Sequence, residues 1–159
     1  MKVEKVLLTV QGEAKMRARL KRLREVERPQ NVRDIEEARA HGDLSENAEY
    51  HAAKEKQGLI EIHLRDAENK LGRCVVIDPT TLSGDRVVFG ATVELEDLDT
   101  EEIVVYQLVG TEEADPKEGR ISYTSPLGKA ILGRGIDDDV VFKAPKGTRE
   151  YTIKDIRFV

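Results

Sequence analysis

From Glu13 to Arg39 the apolar residues Met16, Leu20, Leu23 and Val26, and then Val32, Ile35 and Ala38, recur at intervals near three and four among charged neighbours. That spacing predicts a helix with one buried face. A second run of helical period extends from about Glu46 to Cys74, where Ala48, Ala52, Leu59 and Ile62, together with Ile60, Leu64, Ala67 and Leu71, supply an apolar side. Only the segment HGDLS, His41 to Ser45, separates the two, so an antiparallel helical hairpin is the simplest geometry. Each helix should span about 40 Å at 1.5 Å per residue, more than a small domain needs for its own packing, which predicts a projecting rod. Pro29 lies inside the first helix. There it removes a backbone hydrogen bond and clashes with the preceding turn, at a cost of ~3 kcal/mol unless the helix bends. A kink is expected near Arg28.

After Asp78 the period changes. The stretch DPTTLSGD is rich in turn formers and reads as a linker, and the segments beyond it are short and β-branched. Strands are expected at Arg86 to Glu96, Ile103 to Val109, Arg120 to Tyr123, Val140 to Ala144 and Glu150 to Phe158. Between the third and fourth, SPLGKAILG (Ser125 to Gly133) predicts a short helix with Ser125 as N-cap and Pro126 at its first position. Six of the seven aromatic residues fall in this half, which suits a small α+β core. The expected organisation is two domains, residues 1–77 and 78–159.

The composition narrows the function classes. The chain has 159 residues, 36% of them charged and 4% aromatic. No run of apolar residues is long enough to cross a bilayer, and the N-terminal stretch lacks the apolar core and cleavage site of a signal peptide, so a cytoplasmic location is expected. The single cysteine, Cys74, excludes an intrachain disulfide and a cysteine-based zinc site, and reads as a small buried hydrophobe. The net charge of −5 divides into +2 over residues 1–77 and −7 over residues 78–159. Arg17, Lys21, Arg24 and Arg28 share one helical face. They serve either as a solvated edge supporting the helix pair or as a surface that tracks phosphates.

The chemistry gathers where the two helices meet. Asp43 and Glu46 stand three residues apart at the expected start of the second helix. In one reading Asp43 is the N-cap and Glu46 the N3 residue of a capping box. In the other, the two carboxylates are carried into another macromolecule's site to share a Mg²⁺ ion, which takes oxygen ligands and is usually held by one or two carboxylates plus phosphates and waters. The readings are compatible if capping orients the carboxylates. Arg39 and Lys54 flank this tip, close enough in an in-register hairpin to touch an RNA backbone. The spacing of His41, His51 and His63 is not that of a zinc set, and no phosphate-binding or nucleophile motif occurs. A self-contained active site is therefore not expected.

The run EEARAHGDLSENAEYHAAKEKQG, Glu36 to Gly58, closely resembles the tip signature of the bacterial Gre family of transcript-cleavage factors, GreA type, and SPLGKAILG matches the second signature of that family. The likeness extends to VIDP at Val76 to Pro79, VVFGATVEL at Val87 to Leu95 and the closing YTIKDIRF. The resemblance implies an N-terminal antiparallel coiled coil that enters the secondary channel of bacterial RNA polymerase and a C-terminal FKBP-like α+β domain that docks at its entrance. It implies an accessory factor rather than an enzyme, one that rescues backtracked or arrested polymerase by stimulating the polymerase's own cleavage of the RNA 3′ end. The alternative is a channel-binding regulator without cleavage stimulation. A prolyl isomerase role would rest on fold analogy alone.

Carried over by residue, the family's acidic pair falls on Asp43 and Glu46, which would hold the shared Mg²⁺ only in the complex and none stably alone. Arg39 and Lys54 would steer the nascent RNA 3′ end. Ser125, Pro126 and Leu127 would contact the polymerase, and Ser45, Asn47 and Tyr50 are unranked candidates for orienting the water or the displaced base. The factor is expected to act as a monomer, with no membrane partner.

Overall fold

A computed structural model describes residues 4–159. The chain forms two compact units: Glu13–Cys74, with Glu4, and Lys5–Gly12 with Val75–Val159. The second unit thus takes in an N-terminal segment that a division at residue 77 leaves in the first.

The first unit is a helical hairpin. Helix α1 (Val10–Arg22), a π-helical turn (Leu23–Glu27) and helix α2 (Arg28–Arg39) run on from one another, and helix α3 (Ala48–Gly72) returns antiparallel. Pro29 has its effect where expected, but as a π turn just ahead of the proline: the N–H of Arg28 donates to Leu23 O, five residues back. The wider turn rotates everything that follows. The buried seam passes from Leu23 to Asn31, Ile35 and Ala38, while Val26 and Val32, expected on the apolar face, are turned to solvent. On α3 the seam is Ile60, Leu64 and Ala67, spaced four and three, and Leu59 and Ile62 are exposed. Asn31, in the middle of the seam, donates from Nδ2 to Ala53 O at 2.9 Å. A buried amide of this kind fixes the register of two helices that apolar contacts alone would let slide.

Two ion pairs flank the seam. Arg28 forks onto Glu61 (Nε to Oε1 3.0 Å, Nη2 to Oε2 2.9 Å), and Arg24 reaches Glu68 at 2.5 Å. Arg17 is held by Glu13 one turn back at 3.2 Å. Three of the four cations in the basic stripe are therefore neutralised by carboxylates, and two of them tie the helices together. The geometry favours the supporting edge over the phosphate track.

The second unit is α+β. Strands β1 (Val6–Thr9) and β2 (Cys74–Ile77) pair in a small sheet that the periodicity did not predict. The main sheet contains β3 (Thr92–Asp97), β4 (Ile103–Val109), β5 (Arg120–Ser122), β6 (Asp139–Ala144) and β7 (Gly147–Arg157), in the order β5-β4-β3-β7-β6. β4 and β5 are parallel and the other neighbours antiparallel. Strict alternation in β3 sends Val93, Leu95 and Asp97 inward. Helix α4 (Pro126–Ile131) connects β5 to β6 and adds Ile131 to a core of Val87, Ala91, Val93, Leu95, Leu108, Ile121, Val140, Tyr151 and Ile153.

Three expectations need correction here. The strand expected from Arg86 begins only at Thr92, because the chain turns at Gly90 (φ +91°) and Arg86 forms a single bridge to Gly135. The second helix ends at Gly72 rather than at Cys74. Cys74 opens β2 and is half-buried, its Sγ donating to Leu71 O at 3.2 Å, so it is not a core hydrophobe.

A buried polar cluster anchors β1. Glu113 Oε2 accepts the N–H of Thr9 at 2.8 Å, its Oε1 accepts the Thr9 hydroxyl at 2.5 Å, and Arg120 closes the group at 2.7 Å. The Thr9 hydroxyl in turn accepts the N–H of Gly12 at 3.1 Å, capping α1. Gly12 is required by close approach, since a Cβ there would lie 2.0 Å from the Glu113 carboxyl carbon.

Candidate functional site

The hairpin turns through residues 40–47. Helix α2 ends as Ala40 N–H donates to Glu36 O and Glu37 O and His41 N–H to Ala38 O, all at 3.2 Å. Gly42 then takes φ +112°, a conformation that side-chain-bearing residues rarely adopt, and reverses the chain. Residues 41–46 are all exposed.

Asp43 does not cap α3. Its Oδ1 accepts the N–H of Ser45 at 3.0 Å and the Ser45 hydroxyl at 2.8 Å. The N-cap is Asn47, four residues further on, in extended conformation with Oδ1 accepting Tyr50 N–H at 3.0 Å. The capping box expected of Asp43 and Glu46 is therefore absent, and Glu46 precedes the helix. The reason is local: Asp43 closes a turn on itself with the residue two positions on, and Asn47 is as good a cap as Asp. The signal was legible, since Asn47 stands immediately before the helix-forming run AEYHAAKE.

Both carboxylates are thereby left open. Among the described residues Asp43 Oδ2 has no hydrogen bond, and Glu46 has neither an ion pair nor a hydrogen bond. The side-chain and backbone donors of Ser45, in that order of effect, hold the Asp43 carboxyl below the ordinary aspartate range, so it is ionised at neutral pH. With His41, Asn47, Ala48 and Glu49 the two carboxylates line an open concavity of about 390 Å³. His41 Nε2 lies 3.9 Å from Glu49 Oε2, and His51 Nε2 is 3.2 Å from Ser45 O. No three His, Cys, Asp or Glu side chains among the described residues gather into a metal set. Two hard oxygen donors suit Mg²⁺ as part of a shell whose remaining ligands come from elsewhere.

The other predicted site residues lie as follows. Arg39 is exposed on the last turn of α2, with its guanidinium carbon 5.9 Å from the centre of the Tyr50 ring. Lys54 is exposed on α3 and donates to Gln57 Oε1 at 2.8 Å. Both belong to the hairpin unit that carries the tip. In the second unit Ser125 is the N-cap of α4, as expected: its hydroxyl donates to Ser122 O at 2.6 Å and accepts Gly128 N–H at 3.0 Å. Gly128 must lack a side chain, because a Cβ would meet Ser122 O at 2.1 Å. Leu127 packs against the core, and of the three only Pro126 is exposed, Ser125 and Leu127 being half-buried. Of the three residues left unranked, Ser45 is bound to Asp43, Asn47 to two backbone groups and Tyr50 to Arg39 and the edge of His51.

The chain thus combines a two-helix hairpin, whose turn presents Asp43 and Glu46, with a second, α+β unit. Residues 6–76 match the family model "Transcription elongation factor, N-terminal", and residues 82–158 match "Transcription elongation factor, GreA/GreB, C-term". Relatives named "Transcription elongation factor GreA" include those of Novosphingobium aromaticivorans, 55% identical over 99% of this chain and 98% of the relative, and Sphingopyxis alaskensis, 57% identical over the same shares. A solved structure of the GreA factor homolog 1 (Gfh1) protein of Thermus thermophilus is 31% identical over 97% of this chain and 99% of that one, with a TM-score of 0.44. The chain belongs to the GreA/GreB family of transcription elongation factors and is of the GreA type. Among the described residues no helix is long and apolar enough to cross a membrane.

Proposed function

We propose that this chain is an elongation factor that rescues backtracked or arrested bacterial RNA polymerase by inserting the hairpin tip into the secondary channel and stimulating the polymerase's own cleavage of the RNA 3′ end. Membership of the GreA/GreB family supports a role in elongation. The observation that carries the finer reading is the open carboxylate pair, Asp43 and Glu46, at the exposed turn between α2 and α3. A helix of α3's 25 residues is about 37 Å long, enough to take the tip deep into a partner.

Asp43 and Glu46 act in trans. Too few to retain Mg²⁺ unaided, they complete the shell of an ion that the polymerase's groups also hold. An ion held there would supply charge stabilisation at the scissile phosphate and a more acidic attacking water, with Asp43 and Glu46 providing two of its oxygen ligands. Ser45 holds Asp43 by Oδ1 and leaves Oδ2 turned away from that turn. Arg39, steadied over Tyr50, and Lys54 offer positive charge to the displaced RNA backbone. Pro126, with Ser125 and Leu127 shaping the turn around it, is the part of the second unit that contacts the polymerase.

The test is a backtracked elongation complex carrying 3′-labelled RNA with Mg²⁺. Wild type should release short 3′ fragments, while Asp43→Asn/Glu46→Gln should bind the polymerase with near-unchanged affinity and release none. Cleavage by the double variant at the wild-type rate would overturn the assignment. Binding by both proteins with cleavage by neither would replace it with a channel-occupying regulator.

A further inference from the structure

Two helix ends meet at the tip, and each leaves backbone groups that the helix cannot bond internally. The Asn47 side chain reaches both ends, although Ala38 O at the end of α2 also accepts the N–H of His41 at 3.2 Å. Its Oδ1 accepts Tyr50 N–H at the start of α3, and its Nδ2 donates to Ala38 O, in the last turn of α2, at 2.5 Å. Only the first bond helps to start a helix. Any N-cap supplies an oxygen, and Ser or Asp supply it about as well as Asn. The second bond needs an amide nitrogen and reaches nine residues back, to the other helix.

Between these anchors the N–H groups of His41 and Gly42 bond back to Ala38 O and Arg39 O at 3.2 and 3.4 Å, and the remaining ties are made by exposed side chains. Residues 41–46 are exposed, and Gly42 sits at φ +112°, where residues with a side chain rarely go. The bonds from Ser45 to Asp43 shape the turn internally. The contacts of its neighbours with α3, His51 to Ser45 O at 3.2 Å and His41 to Glu49 at 3.9 Å, are made by exposed side chains. Asn47 is partly buried, and its donor faces a carbonyl of Ala38, which is 2% exposed.

We propose that Asn47 is the positioning residue of the tip: by tying the start of α3 to the end of α2 it sets the span across which Asp43 and Glu46 are presented. The inference rests on the role proposed above for those carboxylates. Groups that complete another molecule's site must arrive already placed, because a misplacement of about 1 Å can cost on the order of a hundredfold in rate. The tie lies at the tip end of the seam, beyond its central cluster of Leu23, Ile60 and Leu64, so losing it leaves the hairpin folded and able to bind.

Asn47→Ser and Asn47→Asp separate the two bonds. Both retain a capping oxygen, and neither replaces the amide: the serine hydroxyl ends one bond short, and an ionised carboxylate has no proton to give. The full-length variants should match wild type in thermal unfolding, helical content and half-saturating concentration for the polymerase complex. At saturation both should cleave at least about tenfold more slowly, and in the free protein amide hydrogen exchange across 41–47 should accelerate several-fold. Wild-type cleavage and wild-type exchange in both variants would reduce Asn47 to a helix cap and overturn the proposal. If wild type itself does not stimulate cleavage, the functional reading fails, and exchange in the free chain still decides the tie: faster exchange in both variants upholds it, unchanged exchange overturns it.

Discussion

The two units of this chain are stabilised in different ways. The hairpin buries a single seam, with Leu23, Ile60 and Leu64 as its central cluster and Leu20 against it, and supplements that seam with exposed Arg–Glu pairs. The sheet unit closes ten buried side chains into one core and contains an ion pair, Glu113 with Arg120, that is almost entirely removed from water. A two-helix seam has solvent along both edges, so each of its side chains can be partly replaced by water or by a neighbour that leans in. A core covered by a sheet and a helix has no such relief. The difference teaches where a long, thin element can carry function. The tip lies at the end of the hairpin, where apolar burial has stopped and the structure depends on single polar side chains.

The sharpest test of this contrast is truncation of one leucine in each unit. Leu95→Ala removes a fully buried side chain from the sheet core and should cost toward 4–5 kcal/mol, whereas Leu64→Ala should cost nearer 2–3 kcal/mol because the seam can collapse around the gap. Urea unfolding of the full chain, followed both by helical circular dichroism and by the tyrosines, three of which lie in β-strand or adjoining positions of the second unit, measures each. Equal costs would remove the distinction. Next in size are the ion pairs. Arg120→Met strands the Glu113 carboxylate in a buried site and should cost about 3 kcal/mol at any ionic strength. Arg28→Met, which frees an exposed carboxylate, should cost under ~1 kcal/mol, and less as salt is added.

The smallest effect concerns the tip. Because the Ser45 donors bind the charged form, Asp43 titrates below the ordinary aspartate value. Their contribution is present above that ordinary value and is lost as pH falls through the lowered midpoint. Ser45→Ala removes the hydroxyl donor and keeps the N–H, so the midpoint should rise part of the way back. The Asp43 carboxyl-carbon resonance reports this directly in the free protein, and an unmoved midpoint would mean that the hydroxyl does not hold the carboxylate.

Much of this arrangement was legible before any coordinates. The period of three and four marked both helices, the short β-branched run from Ile103 to Val109 marked β4, and Ser-Pro-Leu-Gly marked the capped start of α4. Where the reading failed, two local solutions were close in energy or the deciding contact was distant in sequence. Asp43 and Asn47 are both competent caps, and a turn closed by Ser45 chose between them. The π turn before Pro29 cannot be foreseen from period alone, yet it decides that Asn31 enters the seam and Val32 leaves it. β1 and β2 are four residues each and lie far apart in the chain, so neither carries a periodic signal long enough to read.

By itself the sequence determined the helical hairpin, the α+β half, the placing of Asp43 and Glu46 between the helices, and the family, because these depend on periodicity and on runs of residues that are contiguous in the chain. Tertiary structure alone decided which face of each helix is buried, that Glu113 and Arg120 enclose Thr9, and that Asn47 joins α2 to α3. Each of these is a pairing across the chain whose energy exists only once both partners have been brought together, so no window of sequence contains it.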